Sequence, residues 1–188
     1  MLTEKEKLRR EGLYKRVNLS EEERKKFSER IVNNLESLPE YKSAKKVLLY
    51  CPVKGEPDVT PLFVKVLKDK ELILPKVKGE ELELYKVSSY QCLKKGKFGI
   101  LEPIKGEIIP PEELDFIVVP GIVFDLQGYR LGFGKGYYDR LLKKTKGIKV
   151  GVAYSFQLVD KLPRDPWDVP VDIIVTEKKI RRLRNGLS

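Results

Sequence analysis

The stretch "KVLLYCPVKGEPDVTPLFVKVLKDKELILPKV", residues 46–77, decides the fold. Its opening, "KVLLYCPV", is a short run of aliphatic and aromatic side chains without polar alternation, as in a strand buried on both faces. "DVTPLFVKVLKD" then reads as a helix begun by Asp58 or Thr60, and "ELILPKV" as the next strand. Strand, helix, strand is the βαβ rhythm, in which a crossover helix lets two strands run parallel.

The same rhythm extends in both directions. Upstream, Thr3 with Glu6 and Ser20 with Glu23 have the spacing of a capping box, so two helices are expected before the first strand. In the second, Phe27, Ile31, Leu35 and Leu38 form an apolar stripe at helical spacing, and Pro39 closes the segment. Downstream, "ELELYKV" pairs antiparallel with its predecessor through "KGEE", and "KKGKFGILEPIKGEIIPPEE", residues 94–113, is a long irregular connection. Strand "DFIVVP", a glycine-rich stretch, a helix from about Gly136 to Lys144, strand "IKVGVAY", a Pro-rich loop and strand "DIIVTE" complete the chain. The expected class is α/β: an open, mostly parallel sheet with helices on both faces, a Rossmann-like three-layer sandwich in one domain over residues 1–188. In such sheets ligands sit beyond the carboxyl ends of the strands. "KGEPD", "PGIVFD" and "SFQ" each follow a strand there, and one crevice can hold them all.

Composition narrows the chemistry. The 188 residues, 41% hydrophobic and 35% charged, describe an ordinary globular protein with enough apolar surface for one core. No apolar run approaches the roughly 20 residues of a membrane span, and "MLTEKEKLRR" lacks the apolar centre of a signal peptide, so the expected location is cytoplasmic with no membrane partner. Cys51 and Cys92 stand far apart and read as reduced thiols. The absence of histidine removes the Ser-His-Asp triad, the imidazole base and His-ligated metal sites. A net charge of +10 favours an anionic partner, either nucleic acid or a phosphate-bearing small molecule. Acidic residues interrupt nearly every basic stretch except the tail "KKIRRLRNG", which favours the small molecule.

"RLGFGKGYYDRLL", residues 130–142, is the stretch with most chemical content. It matches neither a P-loop nor G-x-G-x-x-G, because position 137 is tyrosine. Glycines at alternate positions before a helix expose backbone N–H groups to an anion, and Lys135 and Arg130 supply a mobile charge and a planar fork suited to phosphate. The same residues also fit a tight turn with Tyr137 and Tyr138 in the core and Asp139 offsetting the helix dipole. On residue chemistry the two readings weigh equally, with Asp139, a possible Mg²⁺ ligand beside phosphate, tipping the balance slightly.

With its neighbours, "VVPGIVFDLQGYRLGFGKGYYDRLL" closely resembles the signature of the 5-formyltetrahydrofolate cyclo-ligase family, where a PG-x-x-FD segment leads into RLG-x-G-x-GYYD. "KEKLR", "YCPVKGEPDVTPL", "LPKV", "FGILEP", "SFQ" and "VDIIVTE" look like family landmarks in the same order, so the resemblance covers nearly the whole chain. It implies an ATP-dependent enzyme that cyclises 5-formyltetrahydrofolate to 5,10-methenyltetrahydrofolate with Mg²⁺. ATP contacts are implied for Lys5, Arg9, Arg130, Leu131, Gly132, Phe133, Gly134, Lys135, Gly136, Tyr137 and Tyr138. Folate contacts are implied for Glu56, with Cys51 beside it, and for Phe133, Gly134, Lys135, Gly136 and Tyr137. A Glu56 carboxylate can accept two N–H donors from an aminopyrimidine edge. Asp139 and Asp172 are the implied metal ligands, and Lys135 and Arg130 the catalytic charges. Two departures stand out: Trp167 where many relatives carry histidine, and Phe133 at a position that is basic in some, which suggests stacking against the folate. A monomer acting on small molecules is expected; the competing classes are a basic nucleic-acid-binding protein and an ATP-independent sugar-phosphate enzyme on a similar sheet.

Overall fold

The computed structural model describes residues 1–53, 55–89, 93–95 and 101–183. Cys92, part of the "FGILEP" landmark and the end of the basic tail lie outside the described residues.

The helix-start signals act as read in the second helix; in the first the Thr3–Glu6 box closes in one direction only, and Pro39 and Asp58 take other parts than those expected. In α1 (Glu4–Val17) the Thr3 hydroxyl accepts the Glu6 N–H at 3.1 Å. In α2 (Glu21–Ser37) the box closes in both directions, Glu23 donating its N–H to Ser20 Oγ and accepting from Ser20 N. Pro39 does not end the helical region. It opens a short helix α3 (Pro39–Ser43), where its fixed φ and missing N–H suit a first-turn position. Asp58 does better than capping α4 (Pro61–Asp69): its carboxylate accepts both the Thr60 N–H and hydroxyl, folding an Asx turn ahead of the helix.

Strands β1 (Lys46–Leu48), β2 (Glu71–Lys78), β3 (Glu81–Val87), β4 (Leu93–Lys95), β5 (Leu101–Pro103), β6 (Glu107–Ile108) and β7 (Phe116–Val119) precede the glycine-rich stretch. β8 (Val123–Asp125) and β9 (Arg130–Leu131) lead into it, followed by α5 (Tyr137–Lys143), β10 (Ile148–Val152), β11 (Leu158–Val159), β12 (Ile173–Val175) and β13 (Ile180–Arg182). The main sheet has eight strands in the order β13-β12-β10-β7-β1-β2-β3-β6. Its centre, β12-β10-β7-β1-β2, is parallel throughout, while β13 closes one edge antiparallel and the β2–β3 hairpin with β6 the other. A mixed α/β sheet with a parallel centre is therefore the architecture.

Alternate side chains of the strands feed two cores. Val47, Leu72, Phe116, Val150 and Ile173 pack beneath α2, α3 and α4 with Ile31, Leu35 and Phe63. Leu48, Ile73, Ile117 and Ile174 face the opposite side, with Leu141 and Leu142 of α5. A sheet buried on both faces needs near-continuous apolar strands, which is why the opening run carries no alternation. β1 is followed by β2 on one side, whereas β7, β10 and β12 are laid down successively on the other, so the winding reverses between β1 and β7. Such a reversal leaves a crevice at the carboxyl ends of its two strands.

A second sheet, β11-β8-β9, sits on that side and presents the glycine-rich stretch. Asp125, fully buried, accepts N–H bonds from Gln127 at 2.9 Å, Tyr129 at 3.0 Å and Leu162 at 3.0 Å, fixing the β8–β9 turn and the chain that passes it. The landmark "SFQ" is equally structural: Gln157 donates to the carbonyls of Gly121 and Ile122, both at 2.9 Å, behind the crevice.

Candidate active site

The glycine-rich stretch leaves β9 at Leu131 and enters α5 at Tyr137. Gly136 caps the helix in the left-handed region, φ +73°, which a side chain rarely adopts. A Cβ at Gly132 would lie 2.8 Å from the Arg130 guanidinium, which folds back along the loop and donates to the Pro120 carbonyl at 3.2 Å. Arg9 reaches across from α1 and donates to the Gly132 carbonyl at 2.7 Å. From the other side Arg140 donates to the Lys135 carbonyl at 2.9 Å and Tyr137 to the Gly79 carbonyl at 3.3 Å. The loop is thus braced by α1, α5 and the β2–β3 turn while Phe133, Gly134 and Lys135 stay exposed. A plain turn buried for packing would hide that crest; this one offers it to a cavity.

That cavity, about 890 Å³, lies where β1 and β7 end. Tyr50, Cys51 and Glu56 enter it after β1, and Pro120 and Gly121 after β7. Lys5 and Arg9 reach it from α1, and residues 130–139 form its wall, so every residue expected in the site except Asp172 lines one cleft. Asp172 is a correction to the expected metal pair. It is 9% exposed at the amino end of β12, the opposite end of the sheet, and accepts the Lys149 N–H at 2.9 Å, tying β12 to β10. Asp139 alone of that pair faces the cleft, and among the described residues no group of three or more Cys, Asp or Glu side chains could hold a metal ion by itself.

The electrostatics of the two ends differ. Glu56 is 5% exposed, and burial pushes its carboxyl above the usual range, opposed by the Val53 N–H it accepts at 2.8 Å and by Arg16, Arg130 and Arg24. Arg16, 4% exposed, is in turn pulled below the ordinary guanidinium value by burial and lifted chiefly by Glu56. Burial also drives the Cys51 thiol up to about 12, so it is a neutral lining group rather than a thiolate nucleophile. At the other end the Lys5 ammonium pairs with Asp165 and lies 3.9 Å from Asp168. Arg130 is lowered by desolvation, while Asp139, Tyr138 and Glu56 hold its charge; its guanidinium lies 5.2 Å from the Tyr138 ring centroid.

Sequence reasoning missed four of these groups as site residues. Arg16 belongs to the α1 stripe Lys5, Arg9, Gly12, Arg16, and its helical spacing from the two expected cations was the available signal. Asp165 and Asp168, with Trp167 between them, line the cleft from the Pro-rich loop, which carries no periodic signal. A shallower hollow of about 470 Å³ lies at the amino ends of the strands. Its carboxylates are committed, Asp115 to the Lys45 and Lys46 N–H groups and Glu40 to Arg182.

Comparison with known proteins agrees with this geometry. The profile of the 5-formyltetrahydrofolate cyclo-ligase family matches residues 2–177. A 5-formyltetrahydrofolate cyclo-ligase of Mycoplasma pneumoniae is 33% identical over 93% of this chain and 99% of its own length. One from Haemophilus influenzae is 32% identical over 85% and 91%. The NMR structure of Aquifex aeolicus 5,10-methenyltetrahydrofolate synthetase superposes with a TM-score of 0.90 at 65% identity, covering 99% of this chain and 96% of that one. The structure of the synthetase from M. pneumoniae gives 0.77 at 32%, covering 93% and 99%. With the family's profile matched over residues 2–177 and relatives similar in sequence and fold over nearly its whole length, the chain belongs to the 5-formyltetrahydrofolate cyclo-ligase family.

Proposed function

We propose that this enzyme converts 5-formyltetrahydrofolate and ATP into 5,10-methenyltetrahydrofolate, ADP and phosphate in the cleft between β1 and β7. The observation that carries this reading is the coexistence in one cavity of a buried carboxylate, Glu56, and a braced glycine crest flanked by Arg9, Arg130 and Lys135. The first suits the donor edge of a pterin and the second a polyphosphate.

In the reaction the formyl oxygen attacks the γ-phosphorus of ATP, forming an O–P bond as the bond to ADP breaks. N10 then attacks the activated formyl carbon and loses its proton, and the C–O bond to phosphate breaks to leave the methenyl cation. No step requires an enzyme nucleophile, consistent with a histidine-free chain whose cleft thiol is held neutral. Phosphoryl transfer asks mainly for positioning and charge stabilisation. Arg130, whose fork lies under the loop, and Lys135, on its crest, are placed to supply that charge, while Arg9 fixes the loop they stand on. Asp139 would hold Mg²⁺ together with the nucleotide's phosphates, since the ion is commonly bound by one or two carboxylates plus substrate phosphates. Bound there, it would neutralise phosphate charge.

The test is direct: purified protein with MgATP and 5-formyltetrahydrofolate should release ADP in step with the methenyl chromophore. An unchanged absorbance across accessible temperatures sinks the reading.

A further inference from the structure

We propose that Trp167 is the platform on which the purine of the nucleotide stacks, at the end of the cleft marked by the amino-terminal turn of α1. The inference rests on the ATP-dependent reading above and extends it to a subsite.

The helix α1 orders the cleft. Lys5, Arg9 and Arg16 stand on one of its faces, and a rise of about 1.5 Å per residue separates the first from the last by roughly 16 Å. At the far end Arg16 packs on Gly55, next to Glu56, with its guanidinium 6.0 Å from the Phe133 ring centroid. In the middle Arg9 holds the Gly132 carbonyl. At the near end Lys5 pairs with Asp165 and approaches Asp168, the two residues that bracket Trp167. The carboxylate suited to a pterin and the indole therefore lie at opposite ends, with the phosphate-seeking cations between them. A nucleotide with its phosphates on the glycine crest finds one direction taken by the folate, and the opposite direction along α1 carries its base toward Trp167.

The indole is built for that use. Trp167 lines the cavity yet is 53% exposed. Its turn is closed by hydrogen bonds: Asp165 N–H donates to Asp168 Oδ2 at 2.8 Å, Asp168 N–H returns to the Asp165 carbonyl at 3.0 Å, and Lys5 ties the turn to α1. Charge selects the occupant. Asp165 and Asp168 lie beside Trp167, with Lys5 paired to the first and Arg130 also facing the second, and their carboxylates disfavour the anionic glutamate tail of a folate packed against them. A neutral purine suffers no such repulsion, and its amino edge can donate to a carboxylate.

Trp167 is the only tryptophan in the sequence, so its emission reports the subsite alone. ADP should quench it saturably. Trp167→Ala should raise KM for ATP about 5- to 100-fold, the loss expected for one base–aromatic stack, without a matching rise in KM for 5-formyltetrahydrofolate. Trp167→Phe should recover most of the loss, because an aromatic face remains. A rise in the folate KM instead, or wild-type KM values in Trp167→Ala together with emission indifferent to ADP, overturns the proposal. The two readings fail separately. ADP quenching without methenyl product refutes the activity and leaves the platform standing, whereas normal product formation with no effect of ADP on emission refutes the platform alone.

Discussion

Glu56 is the residue where folding and function conflict. Burial raises its carboxyl in the folded chain, so between the unfolded value, about 4.3, and the higher folded value the native state binds the extra proton. By linkage, stability falls as pH rises through that window, and above it the full cost of a buried carboxylate is present. Glu56→Gln should therefore raise Tm on the alkaline side of that window, with the gain shrinking as pH falls through it. The same variant should lose about 10- to 100-fold in kcat/KM for 5-formyltetrahydrofolate, the loss expected for a charged hydrogen-bond acceptor. Thermal melts across pH beside folate-dependent kinetics check both halves, and a Tm that drops uniformly would show that the carboxylate is needed for the fold. Arg16, from α1, is the largest charge holding Glu56 ionised, with Arg130 of the loop and Arg24 of α2 behind it and Tyr50 and Tyr138 also facing it. Arg16→Met should move the acid limb of the kcat/KM profile for folate to higher pH, and Arg16→Lys should move it back. At the crest, Lys135→Ala should lower kcat/KM by about 10² if its ammonium stabilises transition-state charge, and wild-type kinetics would return Lys135 to surface chemistry. Asp139→Asn and Asp172→Ala separate the two aspartates. The first should raise the Mg²⁺ concentration needed for half-maximal rate, while the second, which removes the acceptor of the Lys149 N–H, should lower Tm and leave the Mg²⁺ requirement as it was.

At the scale of elements, what the sequence disclosed follows from the range of the forces involved. The βαβ unit of β1, α4 and β2, the α2 stripe and the Tyr137 helix start rest on local periodicity and backbone chemistry, and all three stand in the structure. β8, β9 and β11 are two or three residues each, too short for a period, and depend on Asp125 gathering the N–H groups of Gln127, Tyr129 and Leu162. Asp172 was misplaced for a related reason: a carboxylate before a strand reads alike whether it turns to a ligand or to the neighbouring strand's N–H. Docking of α1 was likewise illegible, since a strongly polar helix shows little apolar stripe. Gly12 is the cause of its close approach, because a Cβ there would meet Ile122 Cγ2 at 2.7 Å and the Ile122 carbonyl at 3.3 Å. Gly12→Val should push α1 off the β7–β8 connection, costing about 1–3 kcal/mol as overpacking does. Because Lys5, Arg9 and Arg16 ride on that helix, the Michaelis constants for ATP and folate should rise together. A fall in Tm with both constants unchanged would mean that α1 yields locally and its cations hold their places.

For the whole molecule, the net charge of +10 matters less than where it goes uncompensated. Several cations of the outer faces are paired: Lys46 and Lys86 with Glu71, Lys65 with Glu36, Lys144 with Glu81 and Arg182 with Glu40. Such exposed pairs add little stability, but they cancel field at a distance. The cleft lining sets Lys5, Arg9, Lys76, Arg130 and Lys135 against Glu56, Glu102, Asp139, Asp165 and Asp168, but at the loop itself Arg9, Arg130 and Lys135 outnumber Asp139, so the positive excess is local to its crest. Low-dielectric walls focus that field and draw in anions, and both ATP and a folate are anionic. Salt screens the attraction over a Debye length of about 10 Å at 0.1 M. With KCl raised from low to high ionic strength, kcat/KM for each substrate should therefore fall while kcat at saturation holds. Lys76, which lines the cleft from β2, reports the field without touching the braced loop, and Lys76→Gln should flatten the slope of log(kcat/KM) against ionic strength. A slope indifferent to salt in the wild type would locate the +10 in solubility alone and leave substrate capture to contacts inside the cleft.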